Sequence, residues 1–367
     1  MRIRSHDPEW EGPRADLEVA ASAPKGHYRA AVVGCGRMGS TIDDEHVGKP
    51  HYPWPWAHAP AIIEARNVEL VAGVDFDTRR LDYFSERWGV KALYTDLREM
   101  VAKEQPDIVC VTTGPVERAE AVTALAEAGV KAIYATKPMS RTLAEADAMI
   151  EACRRTGTIL AIAAHLNWYA PYLNAKALID SGELGPLRSV VCQSPMPLSN
   201  IYSHVLCLFA LFVGSPARWV QGHMDDPELA KTNEDQSGSG MIGYENGVLG
   251  FVNSHAPWRS WTMEFNCERG RVFTRNHHAW FELWGLGEEE LDGEHQRQFP
   301  FPWRPRSSMT DAIEGVARAI EAGVEENCPG EFGREALEIG IAIRESYRSG
   351  RRLDLPLEDR SLRLGGS

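Results

Sequence analysis

The sequence predicts an α/β protein. An N-terminal Rossmann dinucleotide-binding domain precedes an α/β domain with a mostly antiparallel open sheet. Three observations predict this. Short apolar β-type runs alternate with helical segments through the first half. A G-x-G-x-x-G pattern directly follows the first of those runs. After about residue 165 the alternation gives way to strand-rich segments with hairpin turns.

The predicted strands of the first half are "YRAAVVG" (28–34), "VELVAGVD" (68–75), "KALYTD" (91–96), "DIVCVTT" (107–113), "VKAIYAT" (130–136) and "TILAIAA" (158–164). Helical spacing falls between them at 78–88, 96–103, 117–128 and 142–155. Such alternation implies βαβ units and a parallel sheet covered on both faces. The segment "PYLNAKALIDSGELGPL" reads as a helix stopped by Gly182. "SGMIGYENGVLGFVNSH" reads as a hairpin with Asn246-Gly247 supplying the positive-φ turn, and "WTMEFNCERGRVFTRN" as another turned at Arg269-Gly270. Helices near 309–323 and 331–348 close the chain. The predicted division is a tail at 1–26, a Rossmann domain at 27–164, and a domain for substrate binding and oligomerisation at 165–367.

A net charge of −13 opposes binding to a phosphate backbone, so nucleic acid is not an expected partner. Seven scattered cysteines, an odd number with no C-x-x-C, fit free thiols in a reducing cytoplasm better than a disulfide framework or a zinc knuckle. Residues 1–26 contain no apolar signal segment. The most apolar run, "VLCLFALFVG" (205–214), is too short to span a membrane and reads as a buried helix. No membrane association is expected.

In "VVGCGRMGS", Gly34, Gly36 and Gly39 follow the first strand directly. The first permits a tight turn, the second admits a pyrophosphate, and the third lets helix pack on strand. Arg37 and Met38 lie within the same turn. Asp75 ends the second strand, where a carboxylate accepts from ribose hydroxyls and repels a 2′-phosphate. NAD is therefore the expected cofactor, although Arg79 and Arg80 stand ready for a phosphate. Asp75 lies 36 residues beyond Gly39, where roughly 20 is usual. The excess, 40–60, ends in the proline- and tryptophan-rich "HYPWPWAHAP" (51–60). Proline excludes helix interior there, so the helix is expected to resume near Ala61, with the insert at the carboxyl edge of the sheet. Trp54 or Trp56 can wall a substrate pocket, with hydroxyls reaching His51, Tyr52 or His58, or else fill a gap between domains or subunits.

"GCGRMG", "YATKPMS" (134–140), "PYLNAKALIDSGELGPLRSV" (171–190), "NIYSH" (200–204) and "GREALEIGIAIRESYRSGRRLDLPL" (333–357) together carry a resemblance. From Tyr28 to about Leu357 the chain resembles the Gfo/Idh/MocA family, the glucose–fructose oxidoreductase and inositol dehydrogenase group. The resemblance implies oxidation of sugar or cyclitol hydroxyls with NAD(P), usually by dimers or tetramers. The family motif Glu-Lys-Pro here reads Thr136-Lys137-Pro138. Lys137 matches the lysine that orients and polarises the reacting hydroxyl. Thr136 removes a charge beside the nicotinamide ribose, and with Thr113 it is assigned to the cofactor site.

A second motif, Asp-x-Gly-x-His-x-x-Asp, here reads Asn200, Tyr202, His204 and Cys207 at its informative positions. By resemblance His204 is the general base. Tyr202 is assigned a catalytic hydroxyl and Asn200 a substrate-orienting role. His165 and Asn167, in the family's H-x-N neighbourhood, are assigned to the substrate side or to structure. "DDEH" (43–46) and "HH" (277–278) lack metal-site spacing, so no metal is expected. Ser203 lacks the G-x-S-x-G elbow of a nucleophile.

The leading expectation is an NAD-dependent oxidoreductase acting on a carbohydrate-like substrate as a homodimer or homotetramer. The alternatives are a glycoside-cleaving enzyme that oxidises transiently and regenerates NAD, and a non-catalytic dinucleotide-binding regulator or scaffold. Net NADH formation separates the first from both.

Overall fold

The computed structural model describes residues 22–47, 54–256, 261–275, 278–286, 293–300, 306–324 and 327–365. The predicted contributions of His51, Tyr52 and His277, and most of the 1–26 tail, lie outside the described residues.

Among the described residues, six strands form one parallel sheet: β1 (Tyr28–Val33), β2 (Val68–Val74), β3 (Ala92–Tyr94), β4 (Ile108–Val111), β5 (Ala132–Ala135) and β6 (Ile159–Ile162). Their order is β3-β2-β1-β4-β5-β6. β4 and β5 are buried along their whole length, because helices cover both faces. The helices are α1 (His58–Glu64), α2 (Thr78–Trp88), α3 (Leu97–Glu104), α4 (Pro115–Glu127) and α5 (Leu143–Thr156). Asp77 and Asp96 cap α2 and α3, and a Thr142–Glu145 capping box starts α5. Chain order reverses between β1 and β4, which opens the ligand crevice at their carboxyl ends.

The second sheet has the order β14-β13-β12-β11-β7-β10-β9-β8-β15. Its strands are β7 (Leu187–Gln193), β8 (Ala217–Met224), β9 (Gly238–Tyr244), β10 (Leu249–Asn253), β11 (Thr262–Cys267), β12 (Gly270–Arg275), β13 (Trp280–Leu286), β14 (Glu294–Arg297) and β15 (Leu353–Asp354). Pairing is antiparallel except between β7 and β10. Helices α6 (Ala170–Asp180), α7 (Tyr202–Val213), α8 (Ser308–Ala322) and α9 (Gly330–Ser349) complete the chain. The run predicted as a buried helix is α7, in which every residue but Leu211 is buried. Among the described residues no helix is long and apolar enough to cross a membrane.

α9 joins the two sheets through glycine contacts. A Cβ on Gly222 of β8 would lie 2.0 Å from the Ile343 carbonyl oxygen. One on Gly333 would lie 2.7 Å from Ile162 of β6. The C-terminal helices therefore pack on the Rossmann sheet as well as on their own.

Two local expectations change. α1 starts at His58, three residues before Ala61, because Asp43 accepts the Trp56 and Ala57 amides just ahead of it. In the β9–β10 turn Gly247 alone has a positive φ, 85°. Asn246 instead ties the turn with its side chain, donating to the Val213 carbonyl and accepting from the Val248 amide.

Candidate active site

The cofactor cleft begins where β1 ends. Gly34 has φ +97° and donates its amide to the Val74 carbonyl at 2.7 Å. A Cβ on Gly39 would meet the Gly34 carbonyl oxygen at 2.1 Å, so the turn closes only on glycine. A helical turn, Arg37–Thr41, follows it. A cavity of about 1000 Å³ opens here, with Gly34, Gly36, Arg37, Met38, Asp75 and Thr113 in its lining. Gly39 packs beneath the turn.

The Asp75 carboxylate accepts the Cys35 amide at 2.9 Å and the Asp77 amide at 3.0 Å, with Arg80 at 3.7 Å. It thus braces the glycine turn while facing the cavity. Arg79 is held by Asp77. A glycine cradle that a Cβ would fill, and a buried Thr113 hydroxyl without a partner, fit the pyrophosphate and ribose of a dinucleotide.

At the carboxyl end of β5, Lys137 Nζ donates to the Asn200 backbone and side-chain oxygens at 2.8 and 2.7 Å. Burial, with Arg118 and Arg37 nearby, lowers Lys137 to about 8. His204 sits beside it, its Nδ1 buried without a partner. The His204 ring centroid is 5.0 Å from that of His165, whose Nδ1 meets Ser308 Oγ at 2.7 Å. Packing and the Lys137 charge lower His165 to about 4 and His204 well below the usual imidazole value, so both are neutral at pH 7. Lys137, Asn200, His204 and His165 thus lie together beyond the end of β5.

Four predicted residues are placed elsewhere. Tyr202 is 0% exposed, and its hydroxyl donates to the Ser194 carbonyl at 2.6 Å, so it is not the catalytic hydroxyl. Asn167 is enclosed and pins two carbonyls, Cys207 at 3.0 Å and Asn327 at 2.9 Å, so it is structural rather than substrate-facing. His58 is fully buried at the start of α1, its ring 5.3 Å from Tyr134. It cannot meet a substrate hydroxyl from there. Thr136 turns its hydroxyl back to the Val111 carbonyl at 3.3 Å, away from the cleft.

Trp54 and Trp56 are half-buried and stacked, centroids 6.0 Å apart and planes at 12°, with His46 against Trp56 at 4.4 Å. Ser307 Oγ donates to the Pro55 carbonyl at 2.5 Å, and the next residue, Ser308, holds His165. The insert is therefore fastened one residue from the serine that holds His165. The acids of "DDEH" are engaged: Asp43 on backbone amides, Asp44 with Arg87, Glu45 with Arg37. Among the described residues no metal-ligating cluster occurs.

Sequence reasoning missed three residues. Arg118 of α4 is buried and donates to the Pro138 and Thr113 carbonyls, bridging the ends of β5 and β4. Asp235 accepts the Ser199 and Asn200 amides at 2.7 and 2.9 Å, orienting Asn200 toward Lys137. Trp261 stands 6.3 Å from His204. None belongs to a motif; only proximity in the fold selects them.

Comparison with known proteins finds the same fold. The Gfo/Idh/MocA description "Oxidoreductase family, NAD-binding Rossmann fold" matches residues 28–164. The chain is 22% identical to a myo-inositol 2-dehydrogenase of Thermotoga maritima, over 89% of this chain and 98% of that one. Its fold matches an aldose-aldose oxidoreductase of Caulobacter crescentus with TM-score 0.73 and 20% identity, covering 90% of this chain and 100% of that one. It also matches an Agrobacterium radiobacter oxidoreductase solved with NAD+, L-tartaric acid and magnesium, with TM-score 0.71, 17% identity and coverage of 89% and 98%. With a glycine turn built for a dinucleotide and a lysine–histidine pair at its far end, the chain carries, over residues 28–164, the NAD-binding Rossmann fold of the Gfo/Idh/MocA oxidoreductase family.

Proposed function

We propose that the protein is an NAD-dependent dehydrogenase acting on a secondary hydroxyl of a sugar or cyclitol. The observation that carries this is the convergence of Lys137, Asn200 and His204 at the strand end beside the dinucleotide cavity. NAD, when bound, supplies the hydride acceptor. Lys137 leaves one of its Asn200 contacts and donates to the substrate oxygen, favouring alkoxide character as hydride departs. Neutral His204 takes the hydroxyl proton. Asn200, set by Asp235, keeps the ammonium aimed. In the oxidation a C–H and an O–H bond of the substrate break and C=O forms; bound NAD would accept the hydride, and His204 takes the proton.

Trp54 and Trp56 form one wall of the substrate entrance, presented by the proline-stiffened insert. The open face of the second sheet carries a depression of about 510 Å³ with apolar Val191, Met241 and Phe251 in its lining, and suits self-association into a dimer or tetramer. Free cysteines fit a cytoplasmic setting. The domain boundary is proposed near residue 164, where β6 leaves the first sheet.

The test is a polyol and sugar panel with NAD, read as reduced nicotinamide. Net NADH formation with a hydroxyl-bearing compound supports the reading. Product release without net NADH points to transient oxidation, and binding without either overturns catalysis.

A further inference from the structure

The charges around Lys137 do not balance. Lys137 donates only to oxygens of Asn200, both neutral acceptors. Arg118 is 3% exposed; its two terminal nitrogens donate to carbonyls, and its Nε is buried with no partner. Its helix neighbour Glu117 is exposed. Among the described residues no carboxylate makes an ion pair with Lys137 or Arg118, whereas the nearby Arg37 has Glu45. Asp235, the carboxylate whose field reaches Lys137, is turned into the Ser199 and Asn200 amides. His58, His165 and His204 add no negative charge. Three positions where the resembling family carries acids are Thr136, Asn200 and Cys207 here.

Enclosed cations in proteins are almost always matched by a counter-charge. Among the described residues the carboxylates whose fields reach these cations are Asp235, committed to two backbone amides, and Glu117, exposed to solvent, so a ligand can supply the ion pair that neither makes. The cofactor phosphates belong at the Gly34–Gly39 turn beyond β1, whereas Lys137 and Asn200 stand beyond β5, two strands away in the sheet. The nicotinamide brings no negative charge to that end.

We propose that the substrate is a sugar acid, an aldonate or uronate whose carboxylate lies in the field of Lys137 and Arg118 while a neighbouring hydroxyl meets His204. The carboxylate occupies the electrostatic role that an acidic side chain at 136 or 200 would have played. It also competes with Asn200 for the Lys137 ammonium, whose three N–H donors leave one for the reacting oxygen. This deepens the dehydrogenase reading and uses the same site.

The experiment is calorimetric binding to the full-length protein loaded with NADH. Matched pairs are D-gluconate against D-glucitol and D-glucuronate against D-glucose, with D-glucose 6-phosphate as a further arm. The acid of at least one pair should bind about tenfold tighter than its neutral partner, and the ratio should fall as salt rises. Asn200→Asp, checked for a native circular dichroism spectrum, should bring that ratio close to one; Thr136→Glu is the second variant with the same expectation. Equal binding within both pairs overturns the inference, as does a ratio that survives both variants. Binding of the phosphate alone overturns the assignment to a carboxylate. Turnover separates the two readings. NADH from neutral sugars with no acid preference sinks this inference alone; tight acid binding with no NADH sinks the dehydrogenase reading alone.

Discussion

Lys137 and Asn200 are joined twice, the ammonium donating to the backbone oxygen at 2.8 Å and to the side-chain oxygen at 2.7 Å. One residue follows the fifth strand of the first sheet, the other precedes the helix that carries His204, so this contact registers the two halves of the site. Lys137→Ala should lower kcat by a factor of about 10²–10⁴ while NAD binding persists. Steady-state kinetics beside calorimetry checks this, and near-normal turnover removes Lys137 from the chemistry.

The pH profile follows from the lowered lysine and histidines. Lys137 must be ammonium, so kcat/KM should fall as pH rises through about 8. His204 must be neutral, and burial with the Lys137 charge holds it well below the usual imidazole value, so no acid limb should appear in the ordinary imidazole range. Lys137→Arg should move the basic limb out of range, because guanidinium keeps its proton. A profile rising steadily to pH 10 contradicts the assignment.

Asp75 braces the Cys35 amide and faces the adenosine end of the cavity. Asp75→Ala should weaken NAD about tenfold and narrow the gap to NADP, since Arg80 is then free for a phosphate. Unmodified protein that prefers NADP would show that Arg80 dominates.

Tyr202→Phe separates packing from catalysis. It leaves the Ser194 carbonyl without its 2.6 Å donor inside the second domain. The expected cost is about 1–2 kcal/mol of stability, with turnover within about twofold. Denaturant unfolding beside kinetics reads both; a large loss of kcat with unchanged stability would restore the hydroxyl to the mechanism.

Trp54→Ala and Trp56→Ala each break the stacked pair. At least one should raise the substrate KM by about three- to tenfold, with NAD affinity nearly unchanged. Wild-type kinetics in both, accompanied by a lowered Tm, makes the pair packing only.

What the sequence by itself determined is whatever local spacing encodes. Alternation of period and the glycine turn specify the first sheet and its cofactor, because a Cβ at Gly39 cannot coexist with the Gly34 carbonyl. Lys137 and His204 are also legible, each inside a short motif. What the sequence could not determine is which way a side chain in a motif faces. Tyr202 and His204 are two residues apart on one helix, about 200° around its axis, so one enters the core while the other meets the cleft. Asn167 similarly serves two carbonyls that come from segments 40 and 160 residues away. Arg118 and Asp235 entered the site only through tertiary structure. Their importance lies in the absence or presence of opposite charge within a few ångströms, and that is a property of packing among distant segments, which no local pattern records.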